Sequence, residues 1–155
     1  MQIRLFTPLS LPKKYKLEII NTDLCSRNNV MGVNKEWIDR QLNRAEGGVD
    51  FIIVCLNEKK IVGFILAEAR HKPDDGERRK KHTWMLDTIC RKQGSEYSMV
   101  AQLLLNRLIT EALKYNVRKI NLYATTSQAA NAYKRLGFVT TGFEDDGENM
   151  CLRLY

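Results

Sequence analysis

The chain has 155 residues, of which 44% are hydrophobic and 28% charged, and its formal net charge is +7. That length holds one domain with a sizeable core, so a single domain over residues 1–155 is expected. The composition excludes a disordered chain, and no apolar run approaches the roughly 20 residues that a membrane-spanning helix needs.

Taken in order, Gln2 to Phe6 alternates apolar Ile3 and Leu5 with polar Gln2 and Arg4, the pattern of a half-buried strand. The same stretch lacks the apolar region of a secretory signal, so a cytoplasmic protein with no membrane partner is expected. Pro12 opens a helix over Lys13 to Leu24. Asn34 reads as the cap of a second helix over Lys35 to Arg44, and Gly47-Gly48 then breaks the chain. Phe51 to Leu56 and Ile61 to Ala67 are apolar strands joined by the turn Asn57-Glu58-Lys59-Lys60. Their nearly continuous apolar character calls for a sheet covered on both faces.

A charged loop follows, with the basic run Arg78-Arg79-Lys80-Lys81-His82. Such a run suits nucleic acid, but its turn-rich, mixed-charge neighbours favour a solvated loop, so nucleic acid is not the expected partner. Thr83 to Cys90 is a strand, Arg91 to Glu96 a polar loop, and Tyr97 to Tyr115 a long helix. Val117 to Ala124 is a strand, Ser127 caps a helix through Leu136, and two short strands lie around Val139 and from Met150 to Leu154. Thr83 to Ala124 is therefore a βαβ crossover, which makes two strands parallel within a sheet otherwise built of hairpins. The fold class is α/β (α+β), a mixed, mostly antiparallel sheet with helices on its faces.

The four cysteines are Cys25, Cys55, Cys90 and Cys151, with no Cys-x-x-Cys pair, and only two histidines are present. Four reduced thiols and no metal site are expected. The loop before the Tyr97 helix would present open amides and the positive end of a helix dipole, with Arg91 and Lys92 at its mouth: an anion site. No Gly-x-Gly-x-x-Gly or Gly-x-x-x-x-Gly-Lys-Ser/Thr supports a dinucleotide fold or a P-loop. Near the C-terminus, Gly137 stops a helix and Phe138-Val139-Thr140-Thr141 begins a strand. Tyr133 lies one turn before that junction, as a packing residue or as a hydroxyl aimed into a cleft.

The order of elements, the loop before the Tyr97 helix, Val62-Gly63-Phe64, and Ala129-x-x-x-Tyr133-Lys134-Arg135-Leu136-Gly137-Phe138 together resemble the GNAT superfamily of acyl-CoA N-acyltransferases. The resemblance implies a V-shaped split between the fourth and fifth strands, with acetyl-CoA as cofactor and an amine as acceptor. It implies pantetheine along Ile89, Cys90, Arg91 and Lys92, and pyrophosphate on Tyr97, Ser98, Met99, Val100 and Ala101. Further cofactor contacts would come from Thr126, Asn131 and Lys134. Of the usual phosphate-loop pattern only Ala101 matches, so the loop is degenerate. An amide near Ile89 or Cys90 would stabilise developing charge, and Tyr133 would act as general acid. For the general base the candidates are Asp87, Glu68 and His82. Asp87 is placed on the same side of its strand as Ile89 by simple alternation, and a salt or capping partner is an equal reading for it. The acidic stretch Glu144 to Glu148 and the pair Asp74-Asp75 read as ordinary loops or as attractors of a cationic amine. Relatives often dimerise, which leaves a homodimer open. A GNAT-like module with weak or no catalysis is the alternative.

Overall fold

Apolar, β-branched runs drive the centre of the chain into strands, and the helices shield them. A computed structural model describes residues 1–21, 24, 35–43, 48–69 and 82–155. The elements are β1 (Gln2–Phe6), α1 (Lys13–Asn21), α2 (Lys35–Asn43), β2 (Phe51–Asn57), β3 (Lys60–Glu68) and β4 (Thr83–Arg91). They continue with α3 (Val100–Lys114), β5 (Lys119–Ala124), α4 (Ser127–Arg135), β6 (Val139–Glu144) and β7 (Gly147–Arg153). The Asn34 cap, Cys25, Asp74-Asp75 and the run from Arg78 to Lys81 lie outside the described residues.

All seven strands form one sheet in the order β1-β2-β3-β4-β5-β7-β6. Among the described strands only β4 and β5 run parallel, because α3 carries the chain back across the sheet. Every other neighbouring pair is antiparallel. The β2–β3 turn is tight: Glu58 and Lys59 have φ of 51° and 68°. Two left-handed residues between Asn57 and Lys60 match the twist of the flanking strands.

Both faces of the central strands are covered. Ile53, Ile65, Trp84, Leu86 and Ile89 pack with Leu104, Leu105 and Leu108 of α3 and Tyr133 of α4. On the other face Ile52, Val54, Phe64 and Leu66 pack with Ile19 of α1 and Ile38 of α2. Gly63 sets how closely α3 approaches. A Cβ there would lie 2.4 Å from Val100 Cγ1 and 3.0 Å from the Cys90 carbonyl oxygen. Only glycine lets the first turn of α3 seat against β3 beside the end of β4.

Candidate functional site

The parallel ladder between β4 and β5 is short. It pairs Thr83 with Lys119, Trp84 with Ile120 and Met85 with Asn121, and then stops. Yet β4 runs on to Arg91 and β5 to Ala124. The two strands part beyond Met85 and leave a wedge whose β4 wall is Asp87 to Arg91.

A bulge begins the separation. The β3–β4 register passes from Ala67↔Leu86 to Leu66↔Thr88, so Asp87 is an extra residue with no opposite number. A bulge bends its strand and re-aims side chains. Leu86 and Ile89, three residues apart, consequently share one core cluster. The period-two alternation that set Asp87 beside Ile89 does not run through this point.

Tyr133 fills the wedge from α4 and is 3% exposed. The end of α4 fixes it. The Phe138 amide donates to the Tyr133 carbonyl at 3.1 Å and the Gly137 amide to the Lys134 carbonyl at 3.0 Å. With Gly137 at φ 104°, this is a Schellman close, which needs a left-handed residue at that position. The hydrophobic contact that accompanies such a close is here the Phe138 ring, edge-on to the Tyr133 ring at 5.7 Å. Gly137 and Phe138 therefore hold the tyrosine ring as well as ending the helix.

Burial pushes the Tyr133 phenol well above its ordinary value of 10.0. A backbone hydrogen bond with Ile89 pulls the other way, and the charge of Asp87 adds to the rise. A backbone group that favours the phenolate must be a donor, so it is the Ile89 N–H. Burial, the Ile89 backbone and the charge of Asp87 are thus the influences on the Tyr133 hydroxyl.

At the mouth of the wedge the chain turns through a 3-10 segment, Ser95–Tyr97, before α3 starts at Val100. The predicted helix start at Tyr97 is therefore three residues early. The Tyr97 amide bonds the Gly94 carbonyl and the Ser98 amide that of Ser95. Met99 occupies the cap position without a side-chain hydrogen bond. The amides of Met99, Val100, Ala101 and Gln102 find no acceptor among the described residues. The amides of Tyr97 and Ser98 are thus engaged within the 3-10 segment, and Gln102, one residue past the predicted stretch, adds an open amide. Lys92 sits beside this start with its Nζ 5.1 Å from the Tyr97 ring centre, and Arg91 donates to the Lys92 carbonyl at 3.1 Å.

The other candidates scatter. Glu68 is buried at the end of β3, opposite Met85. His82 precedes the paired end of β4, where its carbonyl accepts from the Arg118 amide, so it stands at the closed end of the wedge. Thr126, not Ser127, caps α4: its Oγ1 accepts from the Ala129 amide at 3.1 Å, because the capping residue must precede the first helical one. Asn131 is exposed, and Lys134 is exposed with its Nζ 3.8 Å from Glu148. Cys55 and Cys151 are free thiols, whereas Cys90 is disulfide-bonded. That corrects the expectation of four reduced thiols, since spacing along the chain does not register cysteines that folding brings together. Among the described residues, no helix is long and apolar enough to cross a membrane.

A mixed sheet parted between its two parallel strands, with an uncapped helix start at the mouth and a tyrosine inside, defines an acyltransferase-type α/β fold. The chain belongs to the GNAT acetyltransferase family, whose domain model, "Acetyltransferase (GNAT) domain", matches residues 23–152. Among solved structures, Tetrahymena GCN5 superposes with a TM-score of 0.72 at 18% identity, covering 100% of this chain and 97% of the other. The aminoglycoside 6'-N-acetyltransferase from Enterococcus faecium gives 0.71 at 14% identity, covering 100% and 98%. The PaiA N-acetyltransferase from Thermoplasma acidophilum, in complex with coenzyme A, gives 0.69 at 14%, covering 99% of each chain. No curated protein matches the chain in sequence.

Proposed function

We propose that this protein is an acetyl-CoA-dependent N-acetyltransferase acting on a primary amine in the cytoplasm. The observation that carries the reading is the parting of β4 and β5 beyond Met85, with Tyr133 buried there under the influence of Ile89 and Asp87. The residues present fit the cofactor. Open amides at the start of α3, with Arg91 and Lys92 beside them, suit a pyrophosphate, and the edge of β4 from Ile89 to Arg91 that faces away from β3, beyond the β5 ladder, suits pantetheine. Acetyl-CoA would supply an activated acetyl thioester and a thiolate leaving group.

The roles of the chain's own groups follow from their surroundings. Tyr133 stays protonated throughout the physiological range, because burial dominates its titration, and so holds a proton for a departing thiolate. Were the Tyr133 hydroxyl to turn toward the departing sulfur, the Ile89 N–H it engages would become available to developing negative charge. Asp87, half-buried on β4, is the first candidate to take a proton from an incoming ammonium, and buried Glu68 is the second. The β6–β7 turn offers Asp145 and Asp146, both exposed, to a cationic acceptor. Glu148 is engaged by Thr140 Oγ1 at 2.7 Å and by Lys134.

Calorimetric titration with acetyl-CoA, followed by thiol release with a panel of primary amines, tests the reading. Saturable binding and amine-dependent thiol release are expected. The Tyr133→Phe variant should keep its cofactor affinity and lose about 100-fold in turnover. No heat at high acetyl-CoA would sink the proposal. Binding without thiol release from any amine would favour a binding module, the reading to which exposed Met99 and Glu96 beside the helix start give some support.

A further inference from the structure

A second polar cavity lies far from the wedge. It occupies about 640 Å³ at the β1 edge of the sheet, and its lining includes Gln2, Arg4, Lys14, Tyr15, Leu56, Glu58 and Lys59. Three strand spacings separate β1 from β4, about 15 Å across the sheet, and the order of strands keeps the two sites apart.

The cations that line it come from three separate elements: Arg4 from β1, Lys14 from the first turn of α1, and Lys59 from the β2–β3 turn. Each is positioned. The Arg4 guanidinium stands 5.2 Å from the centre of the Phe6 ring, and Lys14 Nζ stands 5.4 Å from that of Tyr15. Tyr15 and Leu56 are buried and give the cavity a firm floor. Lys59 sits on a turn whose left-handed backbone fixes where its exposed side chain starts.

An aromatic face orients a cation without cancelling its charge, whereas a carboxylate would neutralise it. Among the described residues no carboxylate forms an ion pair with Arg4, Lys14 or Lys59. Of the nearby acids, Glu18 spends Oε1 on the Ile61 amide at 2.6 Å. Glu58 is the one acid in the lining, against three cations. Converging cations, two of them oriented on rings and none ion-paired among the described residues, around a pocket of metabolite size suit a compact multiply charged anion. The planar fork of Arg4 suits phosphoryl oxygens in particular.

We propose that this cavity is a binding site for a phosphate-bearing small molecule, held by Arg4, Lys14 and Lys59. It is independent of the acetyl-transfer reading, since none of its residues borders the wedge.

The test is a two-dimensional amide NMR titration of the full chain with inorganic pyrophosphate at constant ionic strength, with chloride as control. Saturable shifts are expected at Gln2 to Arg4, Lys14, Tyr15 and Leu56 to Lys59, distinct from any at Met99 to Gln102. The triple variant Arg4→Gln/Lys14→Gln/Lys59→Gln changes only exposed side chains. It should weaken pyrophosphate binding at this cavity at least about tenfold, leaving any shifts at Met99 to Gln102 in place. Glu58→Gln should tighten binding a few-fold, the opposite sign. Shifts confined to the start of α3, equal shifts with chloride, or unchanged affinity in the triple variant would each overturn the proposal. So would tight binding of a single-stranded oligonucleotide with no response to pyrophosphate, which would make the cavity part of a nucleic-acid surface.

Discussion

Two helix ends border the wedge, and they are built in opposite ways. The C-terminal end of α4 is closed: its carbonyls are met by the Gly137 and Phe138 amides, and a ring contact seals it. The N-terminal end of α3 is open, with no side-chain cap and four amides lacking an acceptor among the described residues. A closed end fixes a side chain, here Tyr133. An open end keeps hydrogen-bonding capacity for something outside the chain. Stability and recognition are thus assigned to different helices of one site.

Breaking the closed end should have the largest effect. Phe138→Ala removes the ring that packs edge-on to Tyr133 and is expected to cost about 3–5 kcal/mol in urea unfolding. A loss below about 1 kcal/mol would show that the Gly137 turn alone holds the helix end. Gly63→Ala tests what positions the open end. Its Cβ would collide with Val100, so about 1–3 kcal/mol of stability should be lost, together with affinity for acetyl-CoA. Unchanged affinity would mean that α3 adjusts without moving its amides.

Alkaline pH sharpens the comparison further. The folded Tyr133 phenol titrates above the ordinary 10.0, so the stabilisation is complete below pH 10 and is lost as pH rises toward the folded value. Between those two points the native protein should lose about 1.4 kcal/mol per pH unit more than Tyr133→Phe does. Parallel stability curves for the two proteins would contradict burial of the hydroxyl. The smallest effect belongs to Met99→Asp. A negative charge at the start of α3 should add about 0.3–1 kcal/mol to stability while weakening acetyl-CoA binding. If both quantities moved in the same direction, the open amides would not be the anion site.

How much of this was legible depends on the range of the interaction responsible. Strands, helices and the order β-α-α-β-β-β-α-β-α-β-β follow from periodicity and turn residues, and the structure has that order. The close of α4 is just as local, with Tyr133, Gly137 and Phe138 within six residues of one another. The acidic stretch near the C-terminus read as a loop, yet only Asp145 and Asp146 turn the chain, because cross-strand pairing draws Glu144, Gly147 and Glu148 into β6 and β7. The start of α3 was misplaced by three residues, since no capping side chain marks it and a 3-10 turn precedes it.

By itself, then, the sequence determined the elements, the parallel crossover and the tyrosine at its helix end, all of which rest on contacts a few residues apart. Only the tertiary structure decided where β4 and β5 part, that Asp87 is the bulged residue, that Gly63 seats α3, and that Arg4, Lys14 and Lys59 converge. Those features depend on register and approach between segments tens of residues apart, which local periodicity does not encode.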